Sequence, residues 1–518
     1  MLLTLLVSQI GVFIHQHLLS LLIWLPVFGG VLAVAVKGDR YPQRARVTAL
    51  ITSLITLALC VPLYLGFNPA LSRMQFQENI PWIDVYNINY ALGVDGISLP
   101  LIMLTVFTTL LVILAAWRSI NLRVAQYMAA FLLMQGMMVG TFASTDSILF
   151  YVFWEAILIP MYLSIGVWGS HNRSYASIKF FLYTFFGSAL MLIALLYLGL
   201  HNPEHDFLIA HFYPIPLSMP EQVWIFMAFL IAFAVKIPMW PLHTWLPDAH
   251  TEAPAGGSVV LAALMLKLGG YGFLRFTLPI LPDASRLLDG FMIALALIAI
   301  VYIGFVALAQ VDMKRLIAYS SIAHMGFVVL GCFMLFAIMK QSHNQLMAYM
   351  SLEGAMVQMI SHAFSSGAMF LAVGMLAHRF RSRLIKDYGG LAANMPVLAS
   401  FFMLFAMSNV GLPGTSGFVG EFMIILSAMQ ASFWITTTAA TTLILSAAYT
   451  LYMYKRVFFG EITNPLLSKS SDVQGFEKLV FILLSAAIIF IGVFPAPLLT
   501  IMHTSIDSIL HWSLQSKL

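Results

Sequence analysis

The chain has 518 residues, 61% of them apolar and 9% charged, with a mean hydropathy of +0.92. That composition excludes a soluble globular domain and places the chain among polytopic helical membrane proteins. The net charge of +4 is small and spread over loops, so a nucleic-acid surface is excluded. Neither the glycine fingerprint of a dinucleotide fold nor a P-loop occurs, which excludes a nucleotide site within the chain. Cys60 and Cys332 lie apart inside apolar runs, a pattern that forms no disulfide framework, zinc site or iron–sulfur site.

The N-terminus carries neither a basic n-region nor a small-residue cleavage site, so no cleaved signal peptide is expected. Apolar stretches long enough to cross a ~30 Å hydrocarbon core recur along the whole length. They predict an all-α polytopic membrane protein, a single integral membrane domain over 1–518, with about 14 transmembrane helices. The expected spans are about 17–36, 47–66, 97–117, 127–143, 147–168, 177–200, 222–242, 257–279, 289–309, 314–336, 350–377, 396–430 (interrupted), 433–456 and 479–500. Alternate loops then hold 18 of the 25 lysines and arginines, from Lys37, Arg40, Arg44 and Arg46 at one end to Lys455, Arg456, Lys469 and Lys478 at the other. The opposite loops and termini hold five: Arg73, Arg275, Arg286, Lys340 and Lys517. The basic-rich side is expected to be cytoplasmic and both termini periplasmic.

Span seven ends in a tract that no unbroken helix accommodates. Lys236 closes an apolar run, and Pro238 and Pro241 follow, with Trp240, His243, Trp245, Asp248, His250 and Glu252 beyond. Each proline removes a backbone donor and blocks the turn before it. Non-helical backbone at membrane depth survives only inside protein or beside a water-filled cavity. A second break is expected at Gly411-Leu412-Pro413, about 175 residues on. Phe186, Ser188, Met191 and Ala194 recur at a similar offset as Phe364, Ser366, Met369 and Ala372. Five spans separate the copies, so the second is inverted. The reading is two inverted five-helix repeats, 127–279 and 289–456, each with a broken helix, and ion sites at the breaks.

Six ionisable residues fall inside spans: Glu155, Lys236, Lys267, His324, His362 and Glu421. A lone charge at bilayer centre costs roughly 2.5–3.5 kcal/mol on insertion scales. Such residues require partners or water. Carboxylates, burial-sensitive lysines and histidines together suit proton transfer near neutral pH. The expected axis runs Glu155, Lys236, Lys267, His324, His362, Glu421. Plainer readings stand beside it. Glu155 and Lys236 can form a static ion pair, Lys267 can snorkel, each histidine can bond one neighbour, and Glu421 can cap a half-helix. Trp245 suits either the break or an interface belt.

Five segments carry a family resemblance: FYVFWEAILIPMYL (150–163), AFAVKIPMWPLHTWLPDAHTEAP (232–254), LMLKLGGYG (264–272), DMKRLIAYSSIAHMG (312–326) and NVGLPGTSGFVGEF (409–422). They resemble the antiporter-like subunits of respiratory complex I, NADH:quinone oxidoreductase. Glu421 points to the chain 4 branch, because other branches and Mrp-type antiporter chains usually carry lysine there. The resemblance implies proton translocation coupled to electron transfer elsewhere. It implies that Glu155 and Lys236 are the proton-loading pair, Lys267 the central relay, His324 and His362 members of the axis, and Glu421 the terminal exchange group. It implies no cofactor in this chain, with NADH, FMN, iron–sulfur clusters and quinone on partner subunits. The implied partners are other membrane subunits, especially neighbouring antiporter-like ones, in a bacterial inner membrane. A stand-alone Mrp-type cation/proton antiporter chain is the alternative.

Overall fold

The computed structural model describes residues 16–36, 40–462 and 471–518. Lys37 and Lys469 lie outside the described residues. Twelve helices among those described are long and apolar enough to cross a membrane, from Leu18–Ala35 to Phe476–Val493. Helix is the form an apolar chain takes where no water is present to pair backbone groups. The expected interrupted span is two shorter helices, Pro396–Val410 and Ser416–Ala428. The region expected at 433–456 is the 26-residue helix Phe433–Phe458, whose hydropathy is diluted by a run of threonines.

Polar caps mark where chains turn at the membrane face. Asp146 accepts from Ile148 and Leu149 backbone N–H groups at the start of Ser147–Ala156. Asp312 does the same for Lys314 and Arg315 at the start of Met313–Gln341. Ser218 and Glu221 form a reciprocal capping box before Met219–Lys236. Each satisfies N–H groups that no helix can pair internally.

The centre of the molecule is the helical stretch Ala255–Ile280, every residue of whose most apolar window is buried. It is not regular α-helix. Residues Leu261–Met265 and Phe273–Thr277 are π-helical. Packed on it are the long helices Met313–Gln341 and Gln345–Phe380, themselves almost wholly buried.

Two features on the basic-poor face were not expected. An antiparallel hairpin pairs β1 (Gln75–Ile83) with β2 (Ile88–Val94). The last span, expected to run on to residue 500, ends at Val493, and a separate amphipathic helix, Ala496–Leu514, follows. This helix straps the same face. Ser505 Oγ accepts from Gly96 N (2.8 Å), Thr504 donates to Pro69 O (2.6 Å), and Lys517 N donates to Asp283 (2.9 Å). Beneath the strap, Asp95 and Arg275 form a buried ion pair at 2.6 Å.

Candidate functional site

The first break is built as its prolines require. The helix Met219–Lys236 stops at Lys236, and chain turns without regular helix until Trp245–Glu252. The Trp245 indole donates to the Val235 carbonyl at 2.9 Å, pairing an acceptor that the break would otherwise leave open. Trp245 is fully buried, so of its two readings the structure selects the one at the break. The second break turns on Gly411, at φ +84°, which closes Pro396–Val410 in the left-handed region that glycine enters without penalty.

Four of the six candidates form one buried chain. Lys267 Nζ lies 2.8 Å from His362 Nδ1 and 2.5 Å from the Ala262 carbonyl in the first π stretch. The His362 and His324 rings are 5.8 Å apart. His324 Nδ1 lies 2.6 Å from Glu421 Oε1, and Gln358 donates to the same oxygen at 3.0 Å. Lys267, His324, His362 and Glu421 are each at most 3% exposed. Glu421 reaches Gln358 because its neighbour is glycine. A Cβ on Gly420 would stand 2.6 Å from Gln358 N. The order of the chain differs from the expected one: His362, not His324, meets Lys267. His362 and Gln358 share the helix that lies against the π stretch, where His362 meets Lys267 and Gln358 meets Glu421, while His324 comes to Glu421 from the helix Met313–Gln341.

The tautomers these contacts impose are complementary. A protonated Lys267 donates to His362 Nδ1, so a neutral His362 carries its hydrogen on Nε2. An ionised Glu421 accepts from His324 Nδ1, which leaves His324 Nε2 as an acceptor. Both Nε2 atoms are buried without a partner. A donor and an acceptor are thus the open atoms of two neighbouring rings tilted at 49°, an arrangement that can pass a proton through one water. The second Glu421 oxygen is also buried and unpartnered, beside Gly411 at the break.

The other two candidates are near each other but not in contact. Ser188 Oγ donates to Glu155 Oε1. Lys236 Nζ has no hydrogen-bond partner and lies 4.9 Å from the centre of the Trp154 ring. Glu155 is only half-buried, on the flank of the chain. No direct contact joins Lys236 to Lys267, but their helices touch two residues beyond Lys267. A Cβ on Gly269 would lie 2.8 Å from both Ile237 N and Phe233 O. Of the plainer alternatives, the structure removes snorkelling of Lys267, whose ammonium is held inside.

Several residues at the site carried no separate signal in sequence. Ser188 stands out in the sequence only as a repeat echo, and Gln358 and Trp154 are ordinary residues of apolar helices. His250 is fully buried, stacks on Phe370 at 4.5 Å, and has both ring nitrogens unpartnered. Lys314, which reads as a loop residue, is buried, donates to Ala253 O at 2.7 Å and approaches Ser258 Oγ at 3.5 Å. Ser258 in turn donates to the His250 carbonyl at 2.9 Å. A cavity of about 1400 Å³ opens beside them on the basic-rich face, lined by Arg118, Glu252, Asp312, Lys314, Arg379 and Arg383 among others. Arg383 there bridges Glu252 (3.4 Å) and Asp312 (3.3 Å).

Comparison with known proteins gives a consistent result. Residues 144–446 match the family described as NADH:quinone oxidoreductase/Mrp antiporter, TM, and residues 47–145 match NADH-ubiquinone oxidoreductase chain 4, amino terminus. The chain is 46% identical over 495 residues to NADH-quinone oxidoreductase subunit M of Rhodobacter capsulatus, covering 93% of this chain and 94% of that one. It is 40% identical over 492 residues to NADH-ubiquinone oxidoreductase chain 4 of Marchantia polymorpha, covering 95% and 96%. A chain of respiratory complex I from Thermus thermophilus with bound NADH superposes with a TM-score of 0.86 at 30% identity, over 96% of this chain and 100% of that one. A chain of the Mrp complex from Dietzia sp. DQ12-45-1b gives 0.81 at 19% identity, covering 97% and 100%. That last likeness is one of fold.

Proposed function

The chain belongs to the antiporter-like membrane subunit family of NADH:quinone oxidoreductase, in its subunit M and chain 4 branch, and from that membership we propose how its side chains move protons. It serves as a membrane subunit of the proton-pumping oxidoreductase, translocating protons while electrons pass from NADH to quinone on other subunits. The observation that carries the mechanism is the buried run Lys267–His362–His324–Glu421. Its members alternate donor and acceptor, and it crosses from one half of the fold to the other.

In this reading Glu155 and Lys236 load the proton. Lys267 receives it, His362 and His324 hand it on, and Glu421 releases it. The cavity at Lys314 and Glu252 supports entry of water from the basic-rich side. Moving one charge against 100 mV takes about 2.3 kcal/mol. A shift of one pKa unit at a relay group, about 1.4 kcal/mol, covers part of that, and a shift of two units exceeds it. Making or breaking a nearby ion pair produces shifts of that size.

The two breaks and the echoed serines support reading 127–279 and 289–456 as inverted repeats. Ser188 of the first meets Glu155, and Ser366 of the second meets Ser321 at 3.0 Å. The lysine and arginine asymmetry supports a bacterial inner-membrane setting with both termini periplasmic. NADH, FMN, iron–sulfur clusters and quinone are assigned to partner subunits. The half-exposed Glu155 supports a neighbouring antiporter-like subunit on that flank. The Mrp-type alternative is less supported: it shares the family match over 144–446, but the Mrp chain is only 19% identical, whereas the subunit M and chain 4 relatives are 40–46% identical.

The test is Lys267→Ala and Glu421→Ala in the assembled complex, measuring NADH:quinone turnover and acidification of inverted vesicles. Loss of acidification with the complex assembled is expected. Full pumping at wild-type turnover in both variants rejects the proposal.

A further inference from the structure

The ammonium of Lys236 is the anomaly of the site. It is 1% exposed and has no hydrogen-bond donor–acceptor contact. A buried ammonium without a partner is costly. What it has is the face of Trp154, at 4.9 Å from the ring centre. An aromatic face attracts a desolvated cation through the negative charge of its π cloud.

That indole is fully buried and held in place by other rings. Phe150 packs on it at 5.5 Å, and Phe233 meets it edge-on at 5.8 Å. Phe233 lies about one turn before Lys236 on the same helix, so the ring and the ammonium are located by shared packing. Trp154 is also the residue immediately before Glu155. Their helix ends one residue later, at Ala156. Glu155 is occupied meanwhile, accepting from Ser188.

Two consecutive side chains therefore offer one ammonium two different partners. One is a carboxylate, which draws the proton into an ion pair. The other is an uncharged ring, which stabilises the cation without neutralising it. We propose that Trp154 is a positioning residue that receives the protonated Lys236 ammonium when Glu155 turns to Ser188, so that the loading pair opens without leaving the ammonium partnerless in an apolar pocket. The lysine stays charged and displaced from its carboxylate, poised to pass its proton toward Lys267. Ser188 is the counterpart that holds Glu155 in the open arrangement. No bond forms or breaks in this step; only the lysine and glutamate side chains exchange contacts.

This inference rests on the reading of Glu155 and Lys236 as the loading pair. The decisive experiment replaces Trp154, by site-specific incorporation, with mono-, di- and trifluorotryptophan in the intact complex. Shape is nearly preserved while the π cloud weakens at each step. The readout is protons pumped per NADH oxidised. A graded fall along the series is expected, partial retention in Trp154→Phe, and an about thirtyfold lower initial pumping rate in Trp154→Leu, the size of a desolvated cation–π contact. A flat fluorinated series overturns the proposal, and it decides alone if Trp154→Leu fails to assemble. Lys236→Ala separates the two levels. Pumping abolished there, with the fluorinated series flat, removes Trp154 but keeps the loading pair. Pumping intact in Lys236→Ala removes the loading pair itself.

Discussion

Gly269 is the position where packing and proton transfer meet most closely. It lies two residues beyond Lys267, pressed on the backbone that breaks at Ile237. A methyl group there would stand 2.8 Å from Ile237 N and from Phe233 O. Ordinary carbon contacts begin near 3.4 Å, so the helices must separate by about 0.6 Å, and neither obstructing atom is a side-chain tip that can swing aside. Overpacking of this kind costs roughly 1–3 kcal/mol. Gly269→Ala should therefore lower the thermal stability of the purified complex. On the proposed route from Lys236 to Lys267 it should also reduce pumping per NADH. Gly290→Ala is the control, because nothing lies within 4 Å of its added methyl and surface changes stay within about ±0.5 kcal/mol. The measurements are a melting curve in detergent and dye-quench pumping in vesicles. A Gly269→Ala complex as stable and as tightly coupled as the Gly290→Ala one would refute the close-contact argument.

Three further outcomes are expected. His250→Phe keeps the stack on Phe370 and removes two unpartnered nitrogens, so it should leave stability unchanged or raised. If pumping falls regardless, His250 serves the relay; unchanged pumping assigns it to packing. Arg275→Ala strands Asp95 under the strap helix, and breaking a buried pair typically costs about 3–5 kcal/mol. Assembly on blue-native gels should be lost, and Asp95→Asn should restore part of it. The same pair has a pH signature. Burial pushes the Asp95 carboxyl upward, but Arg275 and the N–H groups of Ile97 and Ser98 outweigh it and hold it below its usual value. Its stabilising effect is therefore complete above the usual carboxylate range and lost as pH falls through the lowered value. A melting series from pH 7 downward should show a loss that is absent in the Asp95→Asn, Arg275→Met double variant.

That the candidate residues lie inside the membrane bundle was legible because charge inside an apolar run is conspicuous. Lys236, Lys267 and Glu421 could be picked from hydropathy alone. The breaks were equally plain, since Pro238, Pro241 and Pro413 prohibit regular helix. Contact order was not legible. His324 and His362 each lie within a span, and nothing in spacing says which faces Lys267. That depends on which helix the π stretch lies against, and π turns leave no compositional mark in Leu261–Met265. Ser188 and Gln358 look like ordinary small polar residues of a membrane helix. The strap helix Ala496–Leu514 was obscured because its amphipathic pattern merges with the apolar run before it. The hairpin was hidden because residues 75–83 show no regular alternation of buried and exposed side chains.

The π stretch at Leu261–Met265 sets which backbone carbonyl stands beneath the Lys267 ammonium. A wide turn accommodates one residue more than a regular helix of the same rise, so removing a single residue from that stretch would let it tighten while the residues beyond it keep their direction. Ala262, whose carbonyl accepts from Lys267 Nζ at 2.5 Å, lies five positions before the lysine, and tightening would put a carbonyl four positions before in its place. A shortening that deletes only an alanine would thus leave Lys267 facing His362 and change only the backbone acceptor of its ammonium.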